Sequence, residues 1–425
     1  MASFRIQNKQ LKNGLSTVLM PSDDGGTVTF LVLVGVGSRY ETPRQSGLSH
    51  FLEHMFFKGT SKRPTTKEIS EAVDNVGGEF NAFTSEEYTG YYVKVAAAHL
   101  NRAADVVSDI LLQPLFPAEE IERERGVIIE EIKMYTENPM RHVHQLWMQA
   151  LYGKHPLGWD IAGTAETVSA MQRQDFVNYT SEHYHTGNAV IAVAGNFNPK
   201  QMTVRLNKLF AKLSDGRATR PKSAPKRQSV QRLVHEARPS LDQTHLMVGV
   251  PGPAMGSKDR WASAILATVL GGGMSSRLFL QVRERRGLAY AVRTNTDELT
   301  DTGSFVTQAG VRTDKAVEAL KVILEEYDRA MDEPVGEEEL HKAKQMLRGQ
   351  LLIGLEETNA LAIFGGMQQL LKGKVMKPGE IVKQIDKVTA KQVQSLAQKL
   401  LAPKKRALAL LGPQKSAGRF EKLLK

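Results

Sequence analysis

The sequence predicts an α+β protein built from two homologous α/β sandwich domains of about 210 residues each, joined by a linker. Three observations predict it. Hairpin-like strand runs stand beside several helical patterns, which favours sheets covered by helices over a doubly wound parallel sheet. Landmarks of the first half return in order in the second at a nearly constant offset. The stretch 214–231 (SDGRATRPKSAPKRQSVQ) is polar, basic and Pro-containing, the composition of an interdomain connection. The expected organisation is a domain over 1–213, a linker over 214–231 and a homologous domain over 232–425.

The elements follow in chain order. Met1–Leu19 reads as strand, turn and strand, with the turn at Asn13-Gly14. Thr27–Val36 and Tyr91–Ala96 are strand runs, and the stretch around His50–Phe56 reads as an amphipathic helix. A helix over Ala118–Tyr135 opens after Pro117, and Glu119 and Glu120 suit the positive end of its dipole. A helix around Met171–Tyr184 leads to the buried-strand pattern Ala189–Ala194, closed by Gly195. The second half repeats that pair as Val388–Leu401 and Arg406–Gly412, with Gly195 and Gly412 standing 217 positions apart. Gly90-Tyr91-Tyr92-Val93 pairs with Gly303-Ser304-Phe305-Val306 at an offset of 213, and Gly35 with Gly249 at 214. Four ordered landmarks that drift by a few residues point to a duplicated unit.

Composition sets outer bounds. A chain of 425 residues exceeds one ordinary core, and 41% hydrophobic with 24% charged residues is the balance of a soluble globular protein. With no Cys there are no disulfides and no thiolate ligands. No apolar run approaches 18 residues, so no membrane span is expected. The N-terminus lacks the profile of a signal peptide, and a cytoplasmic location is the expectation. The net charge of +10 raises nucleic acid as a partner. Much of the excess sits in the linker and near the C-terminus, without interleaved stacking aromatics, so it reads as solvated surface and no nucleic-acid partner is expected.

The chemistry concentrates at His50-Phe51-Leu52-Glu53-His54, a His-x-x-Glu-His. Three polar side chains at i, i+3 and i+4 share one helical face, so two imidazoles can hold one ion while the carboxylate between them reaches a water on it. This is the inverted order of the commoner His-Glu-x-x-His zinc motif. A chance match is on the order of one per cent likely in a chain of this composition. Leu48, Phe51, Leu52, Met55 and Phe56 make the rest of the helix apolar, which argues against a generally solvated face. The duplicate lacks the motif: an offset of 214 carries His50, Glu53 and His54 onto Ala264, Ala267 and Thr268.

A third ligand must come from elsewhere. On the helix over Ala118–Tyr135, Glu124 and Glu131 lie seven apart on one stripe, beside the apolar Ile121, Ile128, Ile132 and Tyr135. Glu130 points about 100° away and reads as solvated. By residues alone either Glu131 or Glu124 can ligate. His142 and His144, two apart, do not share a helical face, and His155 precedes Pro156 in a loop, so all three read as structural.

The sequence resembles the pitrilysin–insulysin zinc peptidases, and within them the branch of the mitochondrial processing peptidase and its bacterial relatives. The resemblance covers Gly47–Thr60 (GLSHFLEHMFFKGT), Asn81–Glu86 (NAFTSE), Glu122–Glu131 (ERERGVIIEE), Leu157–Thr164 (LGWDIAGT) and Gly271–Val292 (GGGMSSRLFLQVRERRGLAYAV). That family's pattern is His-x-x-Glu-His, 76 residues, then Glu, and leaving 76 residues after His54 reaches Glu131. The resemblance implies one Zn²⁺ per chain bound by His50, His54 and Glu131, with Glu53 as general base and Glu124 orienting a ligand from behind. It implies that Arg283 and Tyr290, seven apart in the second half, reach the substrate. It also implies that Asn81, Ala82, Phe83 and Thr84 form an exposed strand against which a peptide adds as a further strand. The expected activity is that of a zinc-dependent endopeptidase acting on peptides or extended unfolded segments. The branch with two such domains assembles in pairs, and a chain carrying both the zinc motif and the Arg/Tyr pair resembles a homodimer that encloses a chamber. A catalytically silent scaffold subunit, or the active subunit of a heterodimer, is the alternative.

Overall fold

The computed structural model describes residues 5–23, 25–225 and 232–424. Its strands form two mixed sheets. In the first, β1 (Gln7–Gln10), β2 (Ser16–Pro21), β3 (Thr27–Val34), β4 (Glu79–Thr84), β5 (Thr89–Ala96) and β6 (Ala189–Gly195) run in the order β1-β2-β6-β3-β5-β4. In the second, β7 (Leu233–Ala237), β8 (Gln243–Pro251), β9 (Ala289–Glu298), β10 (Gly303–Arg312) and β11 (Ala407–Gly412) run β7-β11-β8-β10-β9. The second order is that of β2-β6-β3-β5-β4, and in each sheet only the β2–β6 or β7–β11 pair is parallel. The duplicated α+β architecture expected from the sequence is therefore present, with β1 the one strand that has no counterpart among the described residues.

The helices include α1 (Leu48–Met55), α2 (Leu100–Leu112), α3 (Ala118–Glu137), α4 (Pro139–Tyr152), α5 (Arg260–Gly271), α6 (Ala316–Asp332) and α7 (Thr358–Lys372). β3 is apolar at nearly every position because both of its faces are covered. Val28, Phe30, Val32 and Val34 point to one side, into a core shared with Leu48, Phe51 and Leu52 of α1 and Val106, Val107 and Ile110 of α2. Leu31 and Leu33 point to the other, where Leu361 and Ala362 of α7 cover them. Gly365 and Gly366 let α7 lie flush: a Cβ would stand 2.7 Å from Met20 Cε at the first and 2.7 Å from Leu33 Cδ1 at the second. In the second sheet the corresponding cover is α4, whose Val143, Leu146, Trp147 and Leu151 pack with Met247, Val306 and Leu411.

The compact units consequently cut across the boundaries read from the sequence. One comprises 1–132, 160–222 and 352–377, and the other 133–159, 223–351 and 378–425. The two repeats exchange one helix each, so that α7 serves the first sheet and α4 the second. The stretch 214–225 has no helix or strand, and residues 226–231 of the expected linker lie outside the described residues. Its first part is tied to the first unit: Ser214 O accepts from Thr186 N at 3.0 Å, and Lys222 O accepts from Arg39 Nη2 at 2.8 Å. Among the described residues no helix is long and apolar enough to cross a membrane.

Arg39 also forms an ion pair with Glu87 at 2.5 Å, and the side chains are 0% and 2% exposed. Removing one partner of a buried pair leaves the other charge poorly compensated. Arg39→Met is expected to lower unfolding stability by about 3–5 kcal/mol, read as a reduced midpoint in chemical denaturation.

Candidate metal centre

α1 presents Leu48, Phe51, Leu52 and Met55 to the core, each fully buried, and turns His50, Glu53 and His54 the other way. The helix starts at Gly47, whose φ of 94° is left-handed and whose Cβ would stand 2.5 Å from Ala162 O. Only glycine fits there without strain, and it brings no capping side chain. Glu41 supplies the missing acceptor: its Oε2 takes the Gly47 N–H at 2.8 Å and its Oε1 the Ser49 N–H at 2.7 Å. Burial outweighs these donors and leaves the Glu41 carboxyl raised to about 7. Both oxygens facing N–H groups is the arrangement of the ionised form.

α3 brings in the third donor. Its Ile121 and Ile128 are buried in the core, Ile132 packs against it partly buried, and Glu130 is exposed, as the spacing predicts. Glu131 Oε2 lies 3.6 Å from His50 Nε2 and 3.5 Å from His54 Nε2. Among the described residues this is the one group of three such side chains able to share an ion, with ligand atoms all within 4.8 Å of one another. Four-coordinate zinc with bonds of about 2.0–2.1 Å places its ligand atoms roughly 3.3–3.5 Å apart. The donor set and its spacing therefore fit that ion. Burial and the neighbouring His54 hold His50 down to about 4, so its imidazole is neutral at physiological pH, as a ligand must be.

Behind His54 stands Glu124, 5% exposed, whose Oε2 lies 3.0 Å from His54 Nδ1 and whose Oε1 pairs with Lys58 Nζ at 2.6 Å. Burial works to raise Glu124, but hydrogen bonds from His54 and Lys58 prevail and hold it below the usual carboxylate range. A carboxylate on Nδ1 directs the Nε2 lone pair of His54 toward Glu131. The residues alone left Glu124 and Glu131 as alternatives; their places differ because Glu131 faces both imidazoles and Glu124 only the rear of one. Glu53 accepts from Thr84 Oγ1 at 2.6 Å. Burial pushes the Glu53 carboxyl above its ordinary value against that hydrogen bond.

β4 is an edge strand, and among the described residues its outer main-chain groups pair with no further strand. Asn81 is exposed, and Ala82, Phe83 and Thr84 are half-buried. Phe83 packs against the α7 side of the sheet, edge-on to Tyr88 at 6.1 Å. Its ring needs Gly90 opposite, where a Cβ would come within 2.3 Å. Arg283 and Tyr290 belong to the second compact unit, whereas His50 and His54 belong to the first. Arg283 sits in a π-helical turn, Phe279–Glu284, and Tyr290 is the second residue of β9. The guanidinium lies 5.3 Å from the Tyr290 ring centre, and that tyrosine is 78% exposed.

The discounted histidines have local partners. His142 Nε2 meets Glu236 Oε2 at 2.6 Å, and His155 Nδ1 accepts from Leu157 N at 3.1 Å. Two residues escaped the sequence reading. Lys58 stands four after His54, the one-turn spacing that could have revealed it. Glu41 lies in an irregular stretch before α1 and carries no such signal.

A duplicated α+β sandwich with a His-His-Glu cluster and an adjacent glutamate in one repeat defines a class, that of proteins with a zinc-peptidase type of metal centre. Comparison with known sequences narrows it. Residues 17–165 match the family described as Insulinase (Peptidase family M16), and residues 170–347 the Peptidase M16 inactive domain. This chain belongs to the insulinase family, peptidase family M16. It is 36% identical over 412 residues to the "Uncharacterized zinc protease YmxG" of Bacillus subtilis, which covers 96% of this chain and 98% of that protein. A relative from Mycobacterium leprae, also named a zinc protease, is 39% identical over 393 residues, covering 91% and 86%. Among solved structures, a protease from Helicobacter pylori superposes with a TM-score of 0.90 at 25% identity, covering 96% of this chain and 100% of that one. A peptidase M16 inactive domain from Pseudomonas fluorescens shares the fold, with a TM-score of 0.89 at 20% identity and coverage of 97% and 99%.

Proposed function

We propose that the protein is a zinc-dependent endopeptidase that hydrolyses peptides or extended unfolded segments. The observation that carries this reading is the convergence of His50, His54 and Glu131 at separations of 3.5–3.6 Å from the shared Glu131 oxygen, with Glu53 on the same helical face. Zinc held by those three groups supplies Lewis acidity, making water a nucleophile near neutral pH and polarising a peptide carbonyl.

The chain's own residues do the rest. Thr84 holds Glu53 Oε2, leaving Oε1 to take a proton from the attacking water and return it to the leaving amine. Glu124 and Lys58 keep the His54 ring in one orientation and one tautomer. The free edge of β4 accepts the substrate main chain, which tolerates many sequences and leaves selectivity to side-chain pockets. Tyr290 and Arg283 donate hydrogen bonds to the scissile and neighbouring carbonyl oxygens. Two copies pair so that the substrate is enclosed in a chamber, which admits unfolded chains and excludes folded ones.

The test is metal content and hydrolysis measured together. Purified protein is expected to carry one zinc per chain and to cleave an internally quenched peptide. A chelator should abolish the cleavage and added zinc restore it. Undiminished cleavage by metal-free protein would refute the mechanism. Light scattering of the eluting protein checks the pairing, with a mass near twice that of one chain expected.

A further inference from the structure

The segment before α1 contains a carboxylate that the proposed chemistry does not use. α1 is eight residues long, a length at which a helix is marginal without tertiary support. It carries two donors of the metal cluster, His50 in its first turn and His54 in its second. Its first N–H groups need acceptors, and Gly47 cannot provide one because its Cβ position is filled by Ala162 O at 2.5 Å. Glu41 folds back from six residues upstream and closes both of its oxygens on the start of the helix, at Gly47 N and Ser49 N. Its side chain is enclosed, with the residue 4% exposed, and its two acceptor oxygens stand at the positive end of the helix. Ser49, adjacent to His50, is held a second time by its Oγ against Tyr179 OH at 2.8 Å.

We propose that Glu41 is a positioning residue for the metal centre: its two-oxygen clamp on the first turn of α1 fixes the His50 donor at its spacing from His54 and Glu131. The inference rests on the metal-centre reading above. If the clamp is absent, the first turn frays and His50 leaves the cluster while His54 and Glu131 stay on firmer supports. A helix cap that served stability alone would lower the melting temperature and leave the zinc affinity of the folded protein untouched.

Glu41→Gln separates the two. The amide has one oxygen and one NH₂, so an N–H donor at the helix start faces a second donor. Zinc affinity is measured on metal-free protein by competition with a chromophoric chelator, at a temperature where circular dichroism shows the variant folded. A loss of about 10–100-fold is expected, the scale at which partners behind metal ligands act. Glu41→Asp, one methylene shorter, reaches only one of the two N–H groups, and a smaller loss is expected. Folded Glu41→Gln with wild-type zinc affinity overturns the proposal. Should that variant not fold, wild-type affinity in Glu41→Asp overturns it equally. If the wild type itself binds no zinc, the metal-centre reading has failed, an outcome distinct from a normal wild type beside an unaffected variant.

Discussion

Glu53→Gln is expected to leave zinc bound and to lower kcat/KM for a peptide by about 10²–10⁴-fold, the usual contribution of a positioned general base. At about 1.4 kcal/mol per tenfold this is roughly 3–5 kcal/mol of transition-state stabilisation. The substitution isolates proton transfer because the amide keeps the shape of the side chain and keeps an oxygen for the Thr84 hydroxyl, now 2.6 Å from Oε2. None of the three clustered donors is altered, so metal content measured by atomic absorption should match the wild type. The pH profile provides an independent check. A base acts in its ionised form, so activity falls as the pH drops through the Glu53 pKa. Burial raises that pKa and a bound dication lowers it, so the position of the acid limb reports the balance of the two. Thr84 donates to the ionised form and also pulls the pKa down, so Thr84→Val should move the acid limb to higher pH. A Glu53→Gln variant that retains more than a tenth of wild-type kcat/KM would show that another group takes the proton.

The sequence made the helical face of His50, Glu53 and His54 legible because apolar neighbours at helical spacing leave only one orientation for α1. Residue spacing narrowed the third donor to two glutamates, and only the resemblance to a family pattern chose Glu131 between them. Both lie on one stripe of α3, and seven residues of separation do not say which one reaches the imidazoles. The strand echo at Gly195 and Gly412 was legible for a similar reason, since a strand buried on both faces reads as an uninterrupted apolar run. The exchange of α4 and α7 was not. An amphipathic pattern shows that a helix has an apolar side and not which sheet receives it, so Val143 and Trp147 look alike whether they cover β3 or β8. The glycine pair Gly365-Gly366, needed for close approach to Met20 and Leu33, was the one local hint. Glu41 was invisible for a different reason. Its role comes from a backbone reversal that brings a carboxylate onto a helix start six residues away, and no periodicity marks such a contact.

Glu131→Gln is the second large effect, and it is a metal effect before it is a kinetic one. His50 and His54 alone offer two neutral donors, and Glu131 Oε2 is the charged atom facing both. Without it the site lacks both its third ligand and its negative charge. The loss of zinc affinity should therefore exceed the roughly 10–100-fold caused by removing a partner behind a ligand, and Glu124→Gln should fall within that smaller range. Thermal stability with and without zinc converts this into a physical readout independent of catalysis. At a free zinc concentration 100 times the wild-type Kd, binding adds about 2.7 kcal/mol to unfolding stability. A variant whose Kd is 100-fold weaker gains only about 0.4 kcal/mol at that concentration. The metal-free proteins provide the control, because Glu131 is half-buried and its amide analogue removes a charge without opening a cavity. Their melting temperatures should nearly coincide, and the difference should emerge only as zinc is added. Equal zinc-induced stabilisation of wild type and Glu131→Gln would place the third ligand elsewhere, with Glu124 the first residue to test.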